Sequence, residues 1–275
     1  MQLSTKRKLT IRVAILAIAT LATVVYCQNA DIIATKAQNL LNPTVVPAIK
    51  PNLSKSDYAD GKKRAAEAAI RIRPRLTTEL TEKNLTLGAP VFIRIFKESR
   101  ELELWIESAP SSEFQLFKTY NIAAMSGHLG PKLAEGDSQA PEGFYSVGKS
   151  RMNPQSRFHL AFNIGYPNTY DRAHNRTGSA IMVHGNQVSI GCYAMTDYFI
   201  EEIYTLCDAA LNNGQPYFRV HSFPFRLNEQ NLAAKNEHKW HSFWKTLKPG
   251  YDHFEQSQRP PNVEVVDKHY YFNIE

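Results

Sequence analysis

The sequence predicts a mainly β domain with helical additions, an α+β chain, and three observations carry that expectation. From residue 89 onward, strand-like runs recur at Val91–Phe96, Glu101–Ile106, Phe114–Ile122 and Tyr217–Phe223, with the alternation of half-buried strands. Apolar residues at helical spacing fall in separate blocks, at Ser56–Ile72, Tyr198–Leu211 and from Asn228 to Leu247. Between them, glycines and prolines gather in stretches whose composition suits ordered turns. A chain of 275 residues holds one domain of ordinary-to-large size plus a leader, with a real core.

The chain opens on Lys6-Arg7-Lys8 and then an apolar run, Val13 to Tyr26, of 14 residues. That run is short for a membrane span and suits an export leader. The cleavage site is poorly defined, so residues 1–27 read as a signal peptide or an uncleaved inner-membrane anchor, and either places the remainder outside the cytoplasm, in the periplasm. The leader also accounts for most of the basicity. It holds four of the 32 Lys and Arg and none of the 26 Asp and Glu, leaving 28 against 26 for the rest. A nearly neutral domain gives no footing for a nucleic-acid partner.

Residues 28–88 form the next segment. Ala30 to Asn52, with Pro43, Pro47 and Pro51, reads as a tether or linker. Ser56–Ile72 follows as a helix that Pro74 ends or kinks, and Leu76–Leu85 as a second, shorter one. The main domain is expected over 89–275. Its first two strands pair as a hairpin through Lys97–Arg100, and Phe114–Ile122 adds a third. The turn-rich loops are Ser126–Lys132, Glu135–Asp137 and Ala140–Val147; their glycines lack phosphate-loop spacing. Asn163–His174 mixes apolar, aromatic and charged residues without period and reads as an ordered loop. The helix at 198–211 has Thr196 or Asp197 as N-cap and closes at Gly214. Lys248–Asp252 stops the helix after Asn228, and a strand at Val263–Val266 completes the domain.

The chemistry gathers in Ile181–Asp197. His184 and Cys192 stand eight residues apart with Gly185 and Gly191 beside them. A cysteine next to glycine, on a loop leading into a helix N-terminus, has surroundings that lower a thiol pKa. Such a pair reads either as nucleophile and base or as a buried structural cysteine with a turn histidine. The other cysteines, Cys27 in the leader and Cys207 in an apolar helical pattern, leave Cys192 as a free exported thiol. Zinc would need about four ligands; Cys192, His184 and His128 or His174 show no standard spacing, so no metal and no cofactor is expected.

His184-Gly185 followed by Ser189-x-Gly191-Cys192 resembles the signature of the L,D-transpeptidase (YkuD-type) catalytic domain. The extension Tyr193-Ala194-Met195-Thr196 resembles one branch of it, amidases that detach a covalently bound lipoprotein from diaminopimelate in peptidoglycan. The Gly136-Asp137…Pro141-Glu142-Gly143-x-Tyr145-x-Val147 string, the Asn163–His174 block and Lys248–Asp252 extend the likeness from about Pro90 to about Val266. Two departures from the wider family, Ala194 in place of its usual Arg and the short His–Cys spacing, fit the amidase branch. The resemblance implies a β-sandwich catalytic domain with C-terminal helices. Cys192 is then the nucleophile and His184 the general base and acid. Gly191 belongs to the oxyanion loop and Ser189 steadies the loop or orients His184. Arg172, Lys132, His128 and Tyr193 are candidate substrate contacts, and Asp171 either orients a histidine or pairs with Arg172. Peptidoglycan and a wall-bound lipoprotein are the implied partners, with transpeptidation or a non-catalytic wall-binding module as alternatives.

Overall fold

The computed structural model describes residues 60–109 and 111–273. The expected leader or anchor at 1–27 and the linker from Ala30 to Asn52 lie outside the described residues. Helix α1 (Gly61–Glu82) is followed by strands β1 (Val91–Phe96), β2 (Glu101–Ser108) and β3 (Glu113–Asn121). Next come β4 (Gly143–Gly148), a 3-10 turn at Lys149–Arg151, β5 (Met152–Asn153) and β6 (Ala161–Asn163). Helix α2 (Thr169–Ala173), β7 (Met182–His184), β8 (Tyr193–Ala194), α3 (Asp197–Asn212) and β9 (Tyr217–Phe223) continue the chain. It ends with α4 (Glu229–Ala233), α5 (His241–Ser257), β10 (Asn262–Val266) and β11 (His269–Asn273).

A five-stranded sheet in the order β3-β2-β1-β9-β4 forms the centre. Its neighbours are antiparallel except β1 and β9, which run parallel with Ile93 opposite Val220. Every residue of β1 is buried, so both of its faces are covered. On one face Val91, Ile93 and Ile95 join a largely aliphatic core that includes the inner stripes of α1 and α3 and the four-stranded sheet β5-β6-β7-β8. On the other, Phe96 and Phe223 meet Trp244, Leu247 and Tyr251 of α5, with the β10-β11 hairpin against them. The fold is α+β, as the alternation of strand and helix periods predicts.

Several elements differ from the sequence expectation, each for a physical reason. Pro74 does not break α1, a single 22-residue helix, and Pro249 does not stop α5, which runs to Ser257. A proline inside a helix frees the carbonyl four residues earlier and costs about 3 kcal/mol. Here both prolines, and the carbonyl-bearing residues Ile70 and Lys245, are exposed, so water can satisfy what is freed. Buried residues on either side hold each helix down: Ala68, Ile72, Leu76 and Leu80 on α1, and Trp244, Leu247, Tyr251 and Phe254 on α5. Gly250 fits because a Cβ there would stand 2.3 Å from the Phe272 ring. The 163–174 block contains α2, capped by Asn168, whose side chain accepts from the Asp171 N–H while Asp171 accepts from the Asn168 N–H. The helix expected from Asn228 is two helices, and β11 adds a strand that the sequence reading lacks.

Candidate active site

The Ile181–Asp197 stretch folds as β7, a tight connection, β8 and the start of α3. Strands β7 and β8 are parallel, with Val183 opposite Tyr193 and His184 opposite Ala194. Parallel neighbours usually need a crossover of a dozen or more residues; here 185–192 make the return, and two glycines permit it. At Gly185 a Cβ would lie 2.5 Å from Asp197 Oδ1 and 2.8 Å from the Phe158 carbonyl. At Gly191 the constraint is conformational: φ is +130°, while the nearest neighbour of a Cβ would be an unobjectionable 3.6 Å away. Backbone angle, not crowding, fixes that glycine.

Cys192 immediately precedes β8; extending the register by one residue sets it opposite Met182, on the face that His184 shares because side chains alternate. The Met182 N–H points at Cys192 Sγ at 3.4 Å, and Sγ lies 3.7 Å from the Ala180 carbonyl. Ser189 Oγ donates to the Cys192 carbonyl at 2.6 Å and accepts from the Gly191 N–H at 3.2 Å, which staples the loop around the thiol and does not reach His184. His184 is buried, with the Phe158 ring 4.8 Å away. Its Nδ1 is 2.6 Å from the Gly185 carbonyl. A carbonyl only accepts, so Nδ1 carries the proton and Nε2 keeps the lone pair of a base.

Burial dominates the acid–base state of both groups. It pushes the Cys192 thiol up, against smaller downward pulls from the Met182 N–H and the Lys132 charge. It pushes His184 down, opposed by the bond to Gly185 and the nearby Asp197 charge. The resting pair is a neutral thiol and a neutral imidazole. The helix-terminus argument for a lowered thiol pKa therefore fails: α3 begins at Asp197, and Cys192 lies on the turn before β8, beyond the single turn over which a helix dipole acts.

The neighbouring 126–142 loop is moored from below. Lys97 is buried and its Nζ donates to the carbonyls of Gly130 and Ala140 and to Glu142 Oε1, at 2.7, 2.9 and 2.9 Å. Glu142 also accepts from the Gly130 N–H and from Trp244 Nε1. By sequence Lys97 is only a hairpin-turn residue, and nothing in its neighbourhood signals the pairing with Glu142, 45 positions away. Gln139 then spans the loop, its Oε1 accepting from the His128 N–H at 2.9 Å.

The expected substrate contacts fall in different places. His128 is exposed on that loop. Lys132 is buried, its ammonium held by Asp137 Oδ1 at 2.5 Å and the Ala134 carbonyl at 2.8 Å, so its link to the thiol is through charge. Tyr193 is fully buried, its hydroxyl between the Pro141 carbonyl and Ser222 Oγ, and it serves as core. Arg172 is exposed and bonds the Pro167 carbonyl and Thr169 Oγ1. Asp171 pairs with Arg176 at 2.8 Å, not with Arg172, and accepts from the Tyr145 hydroxyl at 3.1 Å. Thr196 caps α3, while Asp197 accepts from the Asn186 N–H at 2.7 Å. Among the described residues no three His, Cys, Asp or Glu side chains come together as a metal site requires, and no helix is long and apolar enough to cross a membrane.

Residues 96–248 match the L,D-transpeptidase catalytic domain, YkuD. The chain is 47% identical over 188 residues to YafK of Escherichia coli K12, named as a candidate L,D-transpeptidase, covering 68% of this chain and 76% of that protein. The YafK of E. coli O157:H7 gives the same figures. Among solved structures, the helical cell shape determining protein Pgp2 of Campylobacter jejuni (K307A mutant) aligns at 19% identity with a TM-score of 0.41, over 73% of this chain and 67% of that one; so loose a likeness carries no functional argument. The family match and the YafK identity do: this chain belongs to the L,D-transpeptidase (YkuD) catalytic-domain family, whose enzymes act on peptidoglycan.

Proposed function

We propose that the protein is a cysteine amidase that hydrolyses the amide joining diaminopimelate in peptidoglycan to the C-terminal Lys of a covalently attached lipoprotein. The observation that carries the thiol chemistry is the shared face of Cys192 and His184, with His184 Nδ1 committed to the Gly185 carbonyl. Nε2 is then free to take the thiol proton as substrate binds. The thiolate attacks the diaminopimelate carbonyl; with the Gly191 N–H held by Ser189 Oγ, the Cys192 N–H is the donor at this turn that stabilises the oxyanion. The imidazolium returns its proton to the leaving lysine amine, leaving a thioester. Water, deprotonated by His184, attacks the thioester; the carboxylate leaves and the thiol is restored.

The choice of water over an amine acceptor rests on position 194. There the family's usual cation is replaced by Ala194, a fully buried residue bridged to Ala124. No charge is available at that point to hold an acceptor's carboxylate beside the thioester. The family match over 96–248 supports action in the periplasm and 89–275 as the catalytic domain; the basic and then apolar opening of the sequence supports residues 1–27 as signal peptide or tether. The test uses sacculi carrying bound lipoprotein. Wild type should release the protein, and Cys192→Ser should release none above background. Equal release by the variant would remove Cys192 as nucleophile; crosslinks formed without release would make the enzyme a transpeptidase.

A further inference from the structure

We propose that Asp197 is the third member of the catalytic set, a positioning residue that acts on His184 through the Gly185–Asn186 peptide group. The Gly185 carbonyl and the Asn186 N–H belong to one peptide unit. On one side that unit accepts from His184 Nδ1 at 2.6 Å; on the other it donates to Asp197 Oδ1 at 2.7 Å. Carboxylate, peptide and imidazole thus form a continuous chain of hydrogen bonds. A carboxylate that accepts from a peptide N–H polarises the group and makes its carbonyl oxygen a stronger acceptor. The imidazole is held in one tautomer, and the charge that appears on it when it takes the thiol proton is met across the peptide by the negative charge of Asp197. No proton crosses the peptide: the proton taken from Sγ resides on Nε2.

The backbone around Asp197 is built to aim it. Thr196 sits at φ +70° and ψ 157°, a region normally left to glycine, at a cost on the order of 1–3 kcal/mol. Its N–H donates to the Asn186 carbonyl at 2.9 Å, so the turn carrying the peptide is tied to the start of α3 at two successive residues. Gly185 is obligatory at this point because a Cβ would collide with Asp197 Oδ1. An acid in the first turn of a helix also favours the helix itself, yet that role needs no bond to Asn186 and no strain at Thr196. The nearby Asp197 charge acts on His184 in the direction the chain of bonds requires, upward. The other titratable groups around the turn are Cys192, just before β8, and, beside Gly185, His159, whose Nε2 is paired with Glu201 at 2.8 Å.

The inference rests on His184 as the base, so its test has a readout that does not need the reaction. Side-chain NMR titration of His184 in the full chain is compared between wild type and Asp197→Asn, which keeps an oxygen acceptor for the Asn186 N–H and loses the charge. The His184 pKa should fall in the variant, with the acid limb of kcat/KM moving down with it and kcat falling about 10-fold, far less than loss of a directly bonded orienting carboxylate. Asp197→Ala, which frees the N–H too, should cost more. An unmoved His184 titration in Asp197→Asn, with activity lost only in step with thermal stability across both variants, would overturn the proposal and leave Asp197 a structural staple. A shifted titration together with an active Cys192→Ser would sink the nucleophile assignment and leave the Asp197 coupling standing.

Discussion

His184 and His221 are buried to nearly the same degree, 3% and 1% exposed, and burial pushes both below the ordinary histidine range. Their surroundings differ completely. His221 stands on β9 in the central sheet, its ring 4.7 Å from those of both Phe92 and Phe144, with the charges of Arg219 and Arg94 pressing it further down. His184 lies on the outer sheet, anchored by one nitrogen with the other unclaimed, and a carboxylate partly offsets its burial. The cysteines divide the same way: Cys207 is enclosed in α3, while Cys192 is partly exposed beside the loop of the short sheet. Burial sets the direction of the shift for all four of these groups. Whether the group can do chemistry depends on an open lone pair and a neighbour on the same face.

The sharpest way to break this contrast is to exchange the cysteines' fates. Cys192→Ser should lower lipoprotein release by on the order of 10⁴-fold or more, since a serine hydroxyl beside a neutral imidazole is a far weaker nucleophile. Cys207→Ser should leave the rate per folded molecule unchanged while lowering thermal stability, because it buries a hydroxyl in an apolar site. Release assays and melting curves on both variants check this; a rate loss in Cys207→Ser would erase the distinction.

The mooring beneath the 126–142 loop comes next. Lys97→Met leaves Glu142 buried without its cation, and breaking such a pair costs about 3–5 kcal/mol. Chemical denaturation should show that loss. Glu142→Gln, which keeps the bonds to Trp244 and Lys97 in part, should lose less. Equal losses would mean that the charge of the pair contributes nothing.

The histidines themselves give a pH test. The folded state holds His221 neutral with its pKa lowered, so its contribution is intact above the unfolded value of about 6.5 and is lost as pH falls from there toward the folded value. One such group contributes a slope of at most about 1.4 kcal/mol per pH unit. His221→Phe, among phenyl rings, should flatten stability between about pH 6.5 and 5 by that amount and leave activity in place. The pH profile of kcat/KM should instead follow His184, its acid limb below the ordinary histidine range. A kcat/KM profile altered by His221→Phe, or a stability slope that the substitution leaves unchanged, would contradict the assignment.

Much of this was legible in the residues. The hairpin at Val91–Ile106 and the strand Tyr217–Phe223 appear where alternation of β-branched and aromatic residues put them. His184 and Cys192 stood out as a candidate pair because the motif sets them beside glycines at 185 and 191, whereas the short strand β8 that follows Cys192 was not legible. The two helices that cross a proline were not, since the outcome depends on whether the freed carbonyl meets water. Strand β11 was hidden because its turn uses Asp267 and Lys268, both at positive φ, in place of an Asn-Gly signal. Nor could the sequence show the thiol's rise, which burial in the folded domain causes, or the pairing of Asp171 with Arg176 instead of Arg172.

The smallest expected effect lies farthest from the site, on α1. Arg71 reaches Glu201 at 2.5 Å but is 58% exposed, whereas Arg75 reaches the buried Glu202, which also holds Lys118 and the Tyr120 hydroxyl. Exposed ion pairs contribute about 0.2–1 kcal/mol, so Arg71→Ala should lower stability by no more than that. Glu201 keeps its contact with His159, beside Gly185, so the active-site turn should not move. Arg75→Ala should cost more, because it takes one of two cations from a buried carboxylate. Leu76→Ala, which opens the stripe shared with α3, should exceed both at about 2–5 kcal/mol. Denaturation midpoints for the three variants in that order would show that α1 is held by its apolar stripe, with the ion pairs setting its register. If Arg71→Ala proved as costly as Leu76→Ala, the ion pairs would be what holds α1, and their link through His159 to the turn at Gly185 would need measuring as a determinant of activity.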